Sequence, residues 1–213
     1  ALLTKYIPQG IQFTKWRTVQ RVGSSEANMR RNAVTQANQA KIAQNNGLVP
    51  MVEPEVLLDG EHDIQASYDT TTRTLKITFE ELAKAGVFLP GVVLKTSMIL
   101  SGNKAQNRAN ADTVGFETLE GLLKTVPSEV PAIVFLSGGQ SDEEANENLD
   151  AVTRASQTRF TEARDAAVAE LRSEGNNAAA DKLAALTQTP WEISYSFGRG
   201  LQAPALKAWG GKA

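Results

Sequence analysis

Two lysines, two glutamates and two serine–glycine turns stand along this chain at places suited to carbonyl and phosphate chemistry. Lys95 closes the apolar run Val92-Val93-Leu94. Partial burial at such a strand end disfavours the ammonium and leaves an amine able to form a Schiff base with a carbonyl. A neighbouring cation acts in the same direction, and Lys15 is that cation if its strand faces the same lumen. Taken alone, a lysine at a strand end more often snorkels to water. Glu53 and Glu55 stand in Val52-Glu53-Pro54-Glu55-Val56. A buried carboxylate with a like charge nearby works as a general acid or base near neutrality; the plainer alternative is a solvated pair before Asp59-Gly60.

The remaining polar groups suit an anion. Ser137-Gly138-Gly139 follows one apolar run, and Ser196-Phe197-Gly198-Arg199 follows another. Glycines let backbone N–H groups approach an anion closely, and a guanidinium matches phosphate geometry. One Gly-Gly pair is usually only a turn. Two such loops after the last two strands say more, because barrels bind phosphate there.

What the chain lacks is equally restrictive. Among its 213 residues there is no cysteine and a single histidine, His62. Disulfides, thiolate chemistry and a histidine-based zinc site are therefore excluded within it. His62 lies in Asp59-Gly60-Glu61-His62-Asp63, read as a polar turn entering a helix, and no metal is assigned. A net charge of -2 without a run of Lys or Arg argues against nucleic acid. No apolar run approaches the ~18 residues of a membrane span. No charged-then-apolar leader opens the chain, so nothing suggests secretion, and the absence of cysteine fits the expectation of a cytoplasmic protein.

The elements that must position these residues alternate short apolar strands with longer helices, which predicts a parallel α/β fold. Strands are expected at Ile11–Arg17, Leu48–Glu53, Gly91–Lys95, Ala132–Leu136 and Glu192–Phe197. Phe13, Lys15 and Arg17 share one face at period two. Pro50 argues mildly against a central strand. Helices are expected at Ser25–Asn46, Asp63–Ala85, through Val114 to Leu123, after a capping box at Ser141 and Glu144, and at Leu201–Trp209. Residues 151–188 read as one or two polar, solvent-facing helices broken near Gly175, before the last strand. Trp16, Trp191 and Trp209 read as packing residues. Lys15, Glu53, Lys95, Ser137 and Ser196 then fall at or just past the C-terminal ends of five strands, where parallel α/β folds collect catalytic groups. Five units are three short of a closed (β/α)8 barrel. A small open sheet and part of a longer barrel both fit, and residues 1–213 read as a single domain.

Successive segments resemble the class I fructose-bisphosphate aldolases: Gly47-Leu-Val-Pro-Met-Val-Glu53-Pro-Glu55, Val93-Leu-Lys95, Phe135-Leu-Ser137-Gly-Gly-Gln-Ser141 and Ser196-Phe-Gly-Arg199. Phe13-Thr-Lys15-Trp-Arg17 is similar to that family's fourth-strand motif, and Ala203 to Lys212 to the helix after its eighth. The resemblance implies a TIM barrel to which this chain supplies about five of the eight β/α units. It implies reversible cleavage of fructose 1,6-bisphosphate to dihydroxyacetone phosphate and glyceraldehyde 3-phosphate. Lys95 would be the Schiff-base lysine, Glu53 the main proton shuttle in carbinolamine dehydration, and Glu55 a support to that network. Lys15 would be the tuning cation, and Arg17 would assist the distal phosphate. Ser137, Gly138, Gly139, Ser196, Gly198 and Arg199 would hold the ketone-side phosphate. No cofactor and no metal are implied, since the iminium is the electron sink. The family also implies a cytoplasmic enzyme of glycolysis and gluconeogenesis and a homotetramer. Scaffolding, as on actin, is a second role open to such folds, and another Schiff-base or phosphate-sugar barrel enzyme is the alternative reading.

The chain departs from the family in Thr96-Ser97-Met98, where many relatives have Pro-Asn-Met. That change is expected to alter a loop more than the chemistry. The helical region within 151–188 looks longer than in familiar members of the family and is expected to be an insertion before the last strand, either a surface insertion or an assembly element. Nothing corresponds to the family's first three strands, with their aspartate for the C4 hydroxyl proton and a further lysine, or to its tail with a terminal tyrosine. A piece of a longer enzyme is therefore expected. Alone, five strands would leave an unpaired edge, and the product is expected to be inactive and poorly soluble.

Overall fold

The computed structural model describes residues 2–211; Lys212, the end of the C-terminal motif, lies outside them. A short helix α1 (Leu2–Tyr6) and a 3₁₀ turn lead into strand β1 (Phe13–Gln20). Four of the following helices begin at a short polar side chain. Ser25, Asp63, Asn110 and Ser141 each accept the N–H three residues on, opening α2 (Glu26–Asn45), α3 (Ile64–Lys84), α4 (Ala111–Thr125) and α5 (Asp142–Thr158). Each such cap contributes about 1 kcal/mol. The capping box expected at Ser141 forms only in half: Ser141 Oγ accepts from Glu144 N, while the Glu144 carboxylate turns away to Arg108.

The other strands are β2 (Val49–Val56), β3 (Val93–Thr96), β4 (Ala132–Phe135) and β5 (Glu192–Tyr195). All pair in parallel in the order β1-β2-β3-β4-β5. Register aligns Trp16, Val52, Leu94, Ile133 and Ile193 in one row. Val52, Leu94 and Ile133 in that row are buried with Leu75, Leu82, Leu119 and Leu122 of the covering helices. The next row along each strand faces the opposite side and carries the charged residues.

All five strand ends differ from expectation: β3 runs one residue further to Thr96, β4 stops one short at Phe135, β5 stops two short at Tyr195, and β1 and β2 differ most. β1 and β2 each run three residues further, because Thr18, Val19 and Gln20 go on pairing with Pro54, Glu55 and Val56. Lys15 and Glu53 therefore lie within strands and not at their C-terminal ends. Lys95 is next to last in β3, and Ser137 and Ser196 follow β4 and β5.

Pro50 and Pro54 both lie in a central strand, and the hydrogen-bond alternation shows how. Val49 N–H bonds Gln12 O on the β1 side, and Leu57 N–H bonds Gln20 O. Odd positions of β2 thus face β1, and even positions face β3. The prolines fall on the β3 side, where pairing is confined to Met51 and Val52. Neither missing N–H breaks a ladder bond that β3 offers. Ser97 takes over where Pro54 stops the ladder: its hydroxyl donates to Val56 O (3.0 Å) and accepts from Val56 N (3.1 Å). The departure at Thr96-Ser97 thus stitches β2 to the loop after β3.

Residues 151–188 hold the end of α5, then α6 (Phe160–Ser173) and α7 (Asn177–Ala184). The break near Gly175 is present, and a second falls at Arg159. The chain closes on α8 (Arg199–Trp209). Of the three tryptophans, Trp191 alone is buried, its indole N–H donating to Pro127 O; Trp16 and Trp209 are exposed.

Candidate active site

Three neighbouring strands bring the charged row together. β1 pairs with β2 so that Arg17 lies opposite Glu53 and Val19 opposite Glu55. Each cation reaches the carboxylate one step diagonal to it. Lys15 Nζ donates to Glu53 Oε2 at 2.8 Å, and Arg17 Nε to Glu55 Oε2 at 2.5 Å. On the other side, Lys95 Nζ lies 3.3 Å from Glu53 Oε1. Glu53, only 3 % exposed, is thus clasped between two ammonium groups. That arrangement suits a proton carrier, because either oxygen of the carboxylate already has a nitrogen within reach. The two carboxylates, expected to act on one another as like charges, each have a cation of their own. Glu55 in turn holds the Arg17 guanidinium even more firmly in its charged form, mainly through their hydrogen bond.

Lys95 Nζ also donates to Ser196 Oγ at 3.3 Å. Ser196 N–H bonds Phe135 O at 2.8 Å, so the same residue ties the amine to the loop that begins two residues later at Ser137. Ser137 to Gln140 form a tight turn closed by Gln140 N–H to Ser137 O. Its central residues Gly138 and Gly139 have φ of 57° and 90°, which a side chain would strain and which define a type I′ turn. The N–H groups of Ser137, Gly138 and Gly139 donate to no acceptor among the described residues. Against this turn lies the N-terminus of α8: a Cβ on Gly200 would stand 3.4 Å from Ser137 Cβ. Gly198 opens that helix without a side-chain cap, and Arg199 is exposed with no ion pair among the described residues. Free amides and a helix N-terminus thus lie side by side near a buried amine, an arrangement suited to an anion, with Arg199 on the first turn of that helix.

Every residue expected at the site thus falls into one of two linked groups: Lys15, Arg17, Glu53, Glu55 and Lys95, or Ser137, Gly138, Gly139, Ser196, Gly198 and Arg199. No three His, Asp or Glu side chains converge as metal ligands among the described residues. His62 is half-buried against Gly60 and Gly102, and burial pushes its ring below the usual value.

Two polar groups escaped the sequence reading. One is the amide pair Gln140 and Asn148 behind the Ser137 turn. Its trace is a lone asparagine on the stripe Ala145, Asn148, Val152, Ala155 of α5. The other joins α3, α4 and α6: Tyr68 OH donates to Glu170 Oε2 (2.8 Å), and Lys124 Nζ bridges Glu170 (2.6 Å) and Glu174 (2.8 Å). Burial pushes the nearby Glu120 carboxyl up to about 7, the Tyr68 hydroxyl pulling it back. No periodicity links residues so far apart in the chain.

A family model described as "Glycolytic: Fructose-bisphosphate aldolase class-I" matches residues 2–162 and 167–213. "Fructose-bisphosphate aldolase 6, cytosolic" of Arabidopsis thaliana is 39% identical over 211 residues, 98% of this chain and 50% of that protein. "Probable fructose-bisphosphate aldolase class 1" of Xanthomonas campestris is 37% identical over 98% of this chain and 54% of its own length. Among solved structures, fructose-bisphosphate aldolase from Plasmodium falciparum, in complex with TRAP and a small-molecule inhibitor, superimposes with a TM-score of 0.79 at 35% identity. That match covers 98% of this chain and 52% of the other. The chain spans about half the length of the curated relatives it matches.

Proposed function

The chain belongs to the class-I fructose-bisphosphate aldolase family, and on that premise we propose that the complete protein cleaves and re-forms fructose 1,6-bisphosphate through a Schiff base on Lys95. The observation behind this reading is one buried amine, Lys95 Nζ, within 3.3 Å of both Glu53 Oε1 and Ser196 Oγ. Ser196 leads from there into the anion cradle.

The Lys95 amine adds to the C2 carbonyl, giving a carbinolamine. Glu53 protonates the departing hydroxyl, which leaves as water and generates the iminium. The C3–C4 bond then breaks. Its electron pair passes into the iminium to form an enamine, while the C4 hydroxyl gives its proton to a base and glyceraldehyde 3-phosphate departs. On the family resemblance that base is the aspartate of the first three strands. Protonation at C3 and hydrolysis of the iminium release dihydroxyacetone phosphate and restore the amine. Ser137, Gly138, Gly139, Ser196, Gly198 and Arg199 take the ketone-side phosphate. Lys15 holds Glu53 in place, and Arg17, steadied by Glu55, serves the distal phosphate.

The same premise extends to this protein the cytosolic location in the Arabidopsis relative's name, a glycolytic role and a homotetramer. Residues 1–213 act in it as one domain, with the helical segment 151–188 outside the catalytic set. Borohydride added with dihydroxyacetone phosphate should trap a covalent adduct on Lys95 of the complete protein, read by peptide mass. Labelling of a different lysine, or of none, overturns the reading.

A further inference from the structure

The Ser137–Gln140 turn is braced by two buried side-chain amides. Ser137 O accepts twice from one residue, from Gln140 N (3.0 Å) and from Gln140 Nε2 (2.9 Å). Gln140 Oε1 accepts from Asn148 Nδ2 at 2.8 Å. Chemistry dictates both orientations. A carbonyl only accepts, so Gln140 must offer it the NH2; its own oxygen is then left for Asn148, which must offer an NH2 in turn. Gln140 and Asn148 are 8 % and 5 % exposed. Asn148 sits among Ala145, Val152 and Ala155 on the buried stripe of α5, where a polar side chain is costly unless bonded.

From this geometry we infer that Gln140 and Asn148 are positioning residues for the phosphate end of the substrate, an inference that rests on reading the Ser137–Gly139 turn as the anion cradle. Two adjacent glycines make that turn the most conformationally free stretch of the loop. A single backbone hydrogen bond would leave its peptide planes to be ordered by the ligand, at the ligand's expense in affinity. The second bond, from Gln140 Nε2, holds the Ser137 carbonyl on the side away from the free amides. Ser137, Gly138 and Gly139 then present their N–H groups to the phosphate before it arrives. Asn148 hydrogen-bonds to the Gln140 side chain and to none of Ser137, Gly138 or Gly139. It acts by locking the Gln140 amide the right way round, and it anchors that amide to the rigid helix that the turn leads into.

The test uses the complete protein with Gln140→Ala, Asn148→Asp and the double variant. Asn148→Asp keeps the shape and removes the donor, so it reports even where Gln140→Ala fails to fold. Three readouts are compared: the dissociation constant of inorganic phosphate, KM against kcat for fructose 1,6-bisphosphate, and borohydride trapping at Lys95 with unphosphorylated dihydroxyacetone. Each single variant should weaken phosphate and raise KM about tenfold with kcat little changed. The double variant should be no worse than Gln140→Ala, because Asn148 acts through Gln140. Trapping with dihydroxyacetone should stay at the wild-type level. Unchanged phosphate affinity in the variants overturns the inference, and so does a fall in dihydroxyacetone trapping that parallels the loss of phosphate. A wild type that binds no phosphate overturns the cradle and the brace together. A wild type that binds phosphate with the expected variant losses, yet traps no ketone at Lys95, supports the brace and overturns the Schiff-base reading instead.

Discussion

Glu53 and Glu55 are the same residue type two positions apart on one strand, yet their neighbours surround them differently. Glu53 lies between two ammonium groups, one of them Lys95, whereas Glu55 has Arg17. Glu53→Gln should therefore lower kcat by about 10²–10⁴, the range for loss of a general acid–base group. Glu55→Gln should act chiefly on KM by releasing Arg17. Steady-state kinetics of the complete protein decide this, and equal losses in kcat would contradict the assignment. The residue types and their shared face were legible from period-two spacing. Which cation meets which carboxylate was not, because partners 38 residues apart meet only through the register of β1 against β2.

At the scale of elements, the precision of the site depends on how closely helices approach. A Cβ on Gly115 of α4 would stand 2.6 Å from the backbone carbonyl of Ala151 in α5, too close to exist. Helix propensity favours alanine over glycine by about 1 kcal/mol, but the clash pushes apart two helices, one of which anchors the brace through Asn148. Gly115→Ala should destabilise the complete protein by about 1–3 kcal/mol, the range for overpacking, measured by denaturant unfolding; a stabilised variant would show that α4 and α5 are not in this contact. Helix starts were readable because a cap is local: Ser25, Asp63 and Ser141 lie within three residues of the N–H they serve. The ends of β1 and β2 were not, since a strand continues as long as its partner does.

At the scale of the molecule, the cluster joining α3, α4 and α6 makes stability depend on pH. Burial lifts the Glu120 carboxyl from 4.5 to about 7, and burial raises Glu117 as well. The folded protein then keeps a proton where the unfolded chain has lost it. Stability from Glu120 is whole below pH ~4.5, falls as pH rises toward ~7 and is level above, a loss of about 3 kcal/mol. Glu174, held low by its hydrogen bond to Lys124, acts only below that window. In Lys124 burial is outweighed by hydrogen bonds to Glu170 and Glu174, so it acts only near and above its ordinary range. The melting temperature of the complete protein should drop between pH 5 and 7.5, and Glu120→Gln should flatten that slope; an equal slope in both would remove Glu120 as its source. The amino-acid sequence by itself determined the five β/α units, the charged and glycine-rich residues and the family, because alternation, caps and motifs are written over a few neighbouring positions. Only the tertiary structure decided the pairing of charges across β1, β2 and β3, the amide brace behind the Ser137 turn and the buried Glu120. Each of these joins groups brought close by strand register or helix packing, and burial exists only once those partners exclude water.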